Sequence, residues 1–313
     1  MSRRAAPRYK GALMSPSSRR VRASLALGVL SVSWAAILVR LADAPALAIA
    51  AWRLVLAGAA ALAFALLRRR AELRALDGRA YSLLAGAGLA LALHFATWIS
   101  SLRLTSVASS VALVTTQPVW VALLSRALLR ERIAPRVAGG IALAVLGGVA
   151  MAGGDVATGP RALAGDALAL AGAIAAALYF VAGRRVRARL SAGAYVGVVY
   201  PVAALGLLAL AIGAGTQLTG FGARTWTALA LLALVPQLLG HSLLNWSLRW
   251  LSGTFVAVTI VAEPVMSIVL AIPVLGERPS STQVVGGLLL LAGVALAASG
   301  DPAARAVVAD EAG

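Results

Sequence analysis

The sequence predicts an all-α polytopic membrane protein, ten transmembrane helices arranged as two inverted five-helix repeats. Three observations carry this. Of the 313 residues, 61% are hydrophobic and only 12% charged, with a mean hydropathy of +0.90, more apolar surface than a soluble chain of this length can hide. The stretch from Leu102 to Gly147 recurs from Leu248 to Gly293 at a constant offset of 146, which pairs Arg103 with Arg249, Pro118 with Pro264, Glu131 with Glu277 and Gly147 with Gly293. Internal repetition decides architecture, and a duplicated membrane unit is one way to build two halves that rock about a site between them. The arginines, finally, are distributed as a membrane topology demands.

Runs of about 20 apolar residues, the length needed to cross a bilayer, fall at 23–41, 45–67, 82–102, 106–127, 135–153, 164–183, 191–213, 225–247, 252–275 and 281–299. They are continuous rather than alternating, which excludes a β-barrel. The chain divides into a basic arm over 1–22, a first repeat over 23–153, a second over 164–299 and a tail over 300–313. The arm looks like the start of a signal peptide, but its apolar run reaches Arg40 with no small-residue cleavage site and reads as a permanent span.

With the N-terminus in the cytoplasm, 22 basic residues fall on the inner side and five on the outer, and Arg53 alone lies inside a span. This bias places both termini in the cytoplasm. Five spans per repeat is odd, so the second copy enters from the opposite side and the repeats are inverted. The net charge of +17 is spread over loops and forms no basic face, so no nucleic acid is expected as partner. There are no cysteines and only two histidines, and no cofactor or metal site is expected. No phosphate loop, nucleophile–base arrangement or paired carboxylates at depth point to catalysis. The partners expected are a lipid bilayer and a small-molecule substrate, with the chain as a monomer or homodimer.

The two copies read QPVWVALLSRALLRERI over Gln117–Ile133 and EPVMSIVLAIPVLGERP over Glu263–Pro279. With AAWRLVLAG (Ala50–Gly58) and Gly165-Asp166-Ala167-Leu168-Ala169, they resemble the EamA domain of the drug/metabolite transporter superfamily. The resemblance covers nearly all of the chain outside its tails. It implies a ten-helix secondary transporter of small metabolites in a bacterial cytoplasmic membrane, often an exporter of amino acids or toxic compounds. An importer of the same fold, a lipid-processing membrane enzyme and a passive channel or scaffold are the alternatives.

Ionisable groups at membrane depth cost about 2.5–3.5 kcal/mol on insertion scales, so each is a candidate. Glu263, followed by Pro264, is expected to be an isolated carboxylate that binds an amine or exchanges a proton with a cationic substrate; the alternative is a neutral acid bonded to a neighbouring helix. Neutral Gln117 occupies the matching place in the first copy. Gln237, His241 and Asn245 are spaced i, i+4, i+8, one face of a helix, either a wet cavity wall or hydrogen-bond glue between helices. His94 and Trp98 form an i, i+4 pair, and Trp34 and Tyr179 are further cavity candidates; for Trp98 an interfacial anchor is the competing role. Arg53 is a gate, an anion contact, or a side chain that snorkels to the outer interface. Glu131 and Glu277 read as structural residues at helix ends. The glycines of the fifth and tenth runs mark peripheral helices that pack closely.

Overall fold

The computed structural model describes residues 18–105, 107–129, 133–152, 160–187, 190–247, 250–251, 256, 259–260, 262–276 and 281–300. The arm up to residue 17, the tail from 301, Glu131 and Glu277 lie outside them. Among the described residues there is no strand. Six helical stretches among the described residues are long and apolar enough to cross a membrane, and in the other four predicted runs the apolar helices are shorter or interrupted.

Interruptions follow local chemistry. The first run splits into α1 (Ser18–Val32) and α2 (Ala35–Leu41). Ser31 and Ser33 donate back to the carbonyls of Leu27 and Val29 at 2.7 and 2.8 Å, a pairing that bends helices. α1 also takes in the last five residues of the predicted arm, Ser18–Arg22, because arginine is a good helix former and carries the helix past the apolar run. α3 (Ala46–Arg68) is continuous, and short α4 (Arg70–Arg74) leads to α5 (Gly78–Ser101), N-capped by Asp77, whose carboxylate accepts the Ala80 N–H at 2.7 Å. The fourth run breaks at Thr115–Thr116 into α6 (Val107–Val114) and α7 (Gln117–Leu124), with π-helical turns over Ser125–Leu129. Pro118 near the start of α7 has no N–H to continue a helix from before it.

α8 (Pro135–Ala152) closes the first copy. α9 (Pro160–Arg187) and α10 (Ala192–Gly213), capped by Ser191, open the second. The eighth run is α11 (Ala223–Leu232), a π-helical stretch over Ala233–His241 around Pro236, and α12 (Ser242–Ser247). α13 (Glu263–Leu275) starts at Glu263 as α7 starts at Gln117, each with its proline next, and α14 (Ser281–Gly300) is last.

The packing repeats with the sequence. α8 lies against α14 and α3 against α10, matching elements of the two copies; α5 against α9 answers α1 against the eighth run. A Cβ on Gly140 would lie 2.6 Å from the Gly293 carbonyl, and one on Gly147 2.6 Å from that of Gly286. A shift of 146 turns one contact into the other. These contacts also make α8 and α14 antiparallel. Likewise Gly58 meets Tyr200 and Pro201 while Gly193 meets Phe64, so α3 and α10 run in opposite directions.

Two sets of loops result. At one end, Arg103 Nη2 donates to the Ala44 carbonyl at 2.8 Å, the Asp43 N–H to Thr225 Oγ1 at 3.1 Å and Trp52 Nε1 to the Leu218 carbonyl at 2.6 Å. At the other, the Ser191 N–H donates to Glu72 Oε2 at 2.8 Å, tying the α4 turn of the first copy to the second.

The glycine seam gives a first prediction. Gly140→Val drives two methyl groups into the α14 backbone and should lower stability by about 3 kcal/mol. Gly139→Ala, where a Cβ meets nothing nearer than Leu296 at 3.7 Å, should be close to neutral. Thermal unfolding of the two variants in detergent checks both; equal midpoints would refute the seam.

Candidate functional site

A cavity sits where the two copies meet. The first copy lines it with Arg53 of α3, His94, Phe95 and Trp98 of α5, and Thr115, Gln117 and Pro118 around the α6–α7 break. The second contributes Tyr179 and Phe180 of α9, His241, Glu263, Pro264 and Ser267. Ala35 and Ala36, just past the α1–α2 break, complete the wall with apolar residues of α1 and α6. Ser267 donates to the Ser33 carbonyl at 2.8 Å, a bond between that break and α13.

Arg53 is the centre of the arrangement. Its neighbours Ile49, Ala50 and Leu54 are fully buried, and so is Arg53 itself, at 0% exposure. Its Nε donates to Gln237 Oε1 at 2.8 Å, and its guanidinium carbon lies 4.1 Å from the centroid of the Phe95 ring. A desolvated cation over an aromatic face is worth roughly 2 kcal/mol. Nη1 and Nη2 have no hydrogen-bond partner among the described residues. Arg53 therefore does not snorkel. The reason is tertiary: a hydrogen-bond acceptor 184 residues away and an aromatic face lie within its reach inside the bundle.

Glu263 faces the same cavity as Arg53. It is thus not the isolated carboxylate that the sequence suggests, because Arg53 turns inward. His94 Nδ1 is 3.0 Å from the Gly172 carbonyl, which fixes the proton on that nitrogen, and its ring stacks on Trp98 with 4° between planes. Trp98 is 5% exposed, packed inside the bundle, whereas an interfacial anchor presents its ring to the membrane.

The duplicated unit matches a known family. The chain belongs to the EamA-like transporter family. Its family model matches twice, over residues 23–152 and 163–299. No curated protein matches the chain. A solved structure described only as "Crystal structure of protein" is 23% identical, covers 89% of this chain and 96% of its own, and superposes with a TM-score of 0.72; at that identity it shows a shared fold.

Within this EamA fold the eighth run departs from the simple helical stripe. His241 lines the cavity and meets the Phe95 edge, with ring centroids 5.5 Å apart. Gln237 and Asn245 are buried behind the wall and are not among its lining residues. A π-helix has more residues per turn than an α-helix, so i, i+4 spacing no longer keeps the three residues in line. Asn245 donates to the His241 carbonyl at 2.8 Å and to the Tyr179 hydroxyl, and the Tyr200 hydroxyl donates to the Gln237 carbonyl at 3.3 Å. Trp34 packs against the core at the α1–α2 break without lining the cavity, because the break turns Val32, Ala35 and Ala36 toward it instead.

Sequence reasoning passed over Phe95, Tyr200, Thr115 and Ser267. Ser267 was findable, standing i+4 from Glu263. Phe95 carried no signal, being one aromatic among apolar residues until Arg53 lies over it.

Proposed function

We propose that this protein is a secondary active transporter that exports a small metabolite, amino acid or drug-like compound across a bacterial cytoplasmic membrane by alternating access. The observation that carries the reading is the polar cavity lined by both copies, in a bundle whose matching helices run antiparallel. Antiparallel packing of matching helices is what inverted repeats produce, and rocking one repeat against the other exposes a fixed site to either side in turn. The reading takes the four shorter apolar segments as spans too, giving ten, with Glu263 exchanging a proton during the cycle. The arginine-rich loops around Arg74 and Arg187 then face the cytoplasm with both termini.

Two measurements test this. The chain has no cysteine, so Arg74→Cys and Arg187→Cys each carry one reporter. Neither should react with an impermeant maleimide added to intact cells, and both should react after permeabilisation; labelling from outside would refute the topology. In proteoliposomes the purified chain should give saturable substrate flux that responds to a pH gradient. An importer of the same fold differs only in the direction that gradients impose. A lipid-processing enzyme would instead alter the vesicle lipids and carry nothing.

A further inference from the structure

We propose that the substrate is an apolar monocarboxylate and that it binds at Arg53 together with one proton on Glu263. The proposal rests on the transport reading of this cavity, gives its substrate a chemical class and, because anion and proton then cross together, has export run down the substrate's own gradient. Among the described residues, five buried side-chain atoms on the cavity lining have no hydrogen-bond partner: Nη1 and Nη2 of Arg53, Nε1 of Trp98, Nε2 of Gln117 and Nδ1 of His241. The first four can only donate. Buried donors call for acceptors, and two free guanidinium nitrogens in a planar fork match the two oxygens of a carboxylate. Arg53, Gln117 and Trp98 are each more than nine-tenths buried. α7 and α13 both begin at the cavity with Gln117 and Glu263, and the positive ends of helices favour anions. Around this polar patch the wall is apolar and aromatic, which suits the body of the molecule.

Charge balance then assigns Glu263. Among the described residues, Arg53 and Glu263 are the charged ones of the lining, facing His94, Tyr179 and His241 from the other helices. Empty, the described lining carries no net charge when Glu263 is ionised. A bound carboxylate replaces that negative charge at Arg53, and neutrality returns when Glu263 takes up one proton from solution. An uncompensated charge at this depth is costly, so anion and proton bind together. A cationic substrate would instead face a guanidinium and a set of donors.

The test uses the purified full-length chain and four probes of matched shape: phenylacetate, phenylacetamide, phenethylamine and phenylalanine. Binding is read from tryptophan fluorescence and calorimetry across about pH 5 to 9. Phenylacetate should bind best, with uptake of one proton in weakly buffered solution, and weaken by about tenfold per pH unit on the alkaline side. Arg53→Lys, which keeps the charge and loses the fork, should weaken it by about tenfold or more. Glu263→Gln, with the same amide that Gln117 places in the first copy, should make affinity independent of pH at the value the wild type reaches in acid. The proposal is overturned if phenethylamine or phenylalanine binds better, if no probe binds, or if Glu263→Gln weakens phenylacetate. Phenethylamine flux in proteoliposomes would overturn the anion assignment and leave the transporter intact. Phenylacetate binding without flux of any probe would support the site and refute transport.

Discussion

Net flux through the Glu263→Gln protein should fall by roughly 100-fold while exchange of substrate for substrate continues. With substrate bound, the glutamine stands in for the protonated acid and the cavity is neutral. Emptied, it holds the Arg53 charge with nothing to balance it. Carrying that charge through the occluded step adds about 2.5–3.5 kcal/mol to the return of the empty carrier. Exchange never requires that return. Proteoliposomes loaded with phenylacetate and diluted into buffer, with and without phenylacetate outside, separate the two modes. Wild-type net flux that keeps its pH dependence in the variant would make Glu263 a packing residue and end the proton-coupling idea.

Arg53→Met should lower thermal stability by about 3 kcal/mol. The change leaves Gln237 Oε1 without its donor, uncovers the face of Phe95 and strips Glu263 of its compensating charge. The last of these can be isolated. Adding Glu263→Gln to Arg53→Met removes the uncompensated carboxylate and should recover roughly 1 kcal/mol or more. Unfolding midpoints of the wild type, both single variants and the double variant in detergent give the coupling directly. Strictly additive effects would mean that the two residues do not sense each other's charge, and the balance argued for the cavity would fail with them.

Much of the architecture was legible before any coordinates. The Gly140/Gly286 and Gly147/Gly293 pairs, 146 residues apart, marked α8 and α14 as helices that another backbone approaches closely, and the structure supplies the partner by packing the two against each other. Pro264 marked a disturbed helix in the ninth run, and α13 begins beside it. His94, Gln117, His241 and Glu263 stood out for being polar in lipid, and all four reach the cavity.

The composition and periodicity of this chain determined by themselves that it is helical, duplicated and suited to a membrane, because these follow from local transfer free energies and from a pattern written twice. What only the tertiary structure decided is which polar groups share one space. Arg53 could reach the interface or turn inward from the same place in α3, and Gln237 and Phe95, brought alongside from other helices, settle it. The π-helical turns at Pro236 separate His241 from Gln237 and Asn245, and the break beside Trp34 directs alanines rather than the indole to the cavity. Side-chain direction at membrane depth depends on the partner that lies across the helix interface, and a one-dimensional pattern does not contain that partner.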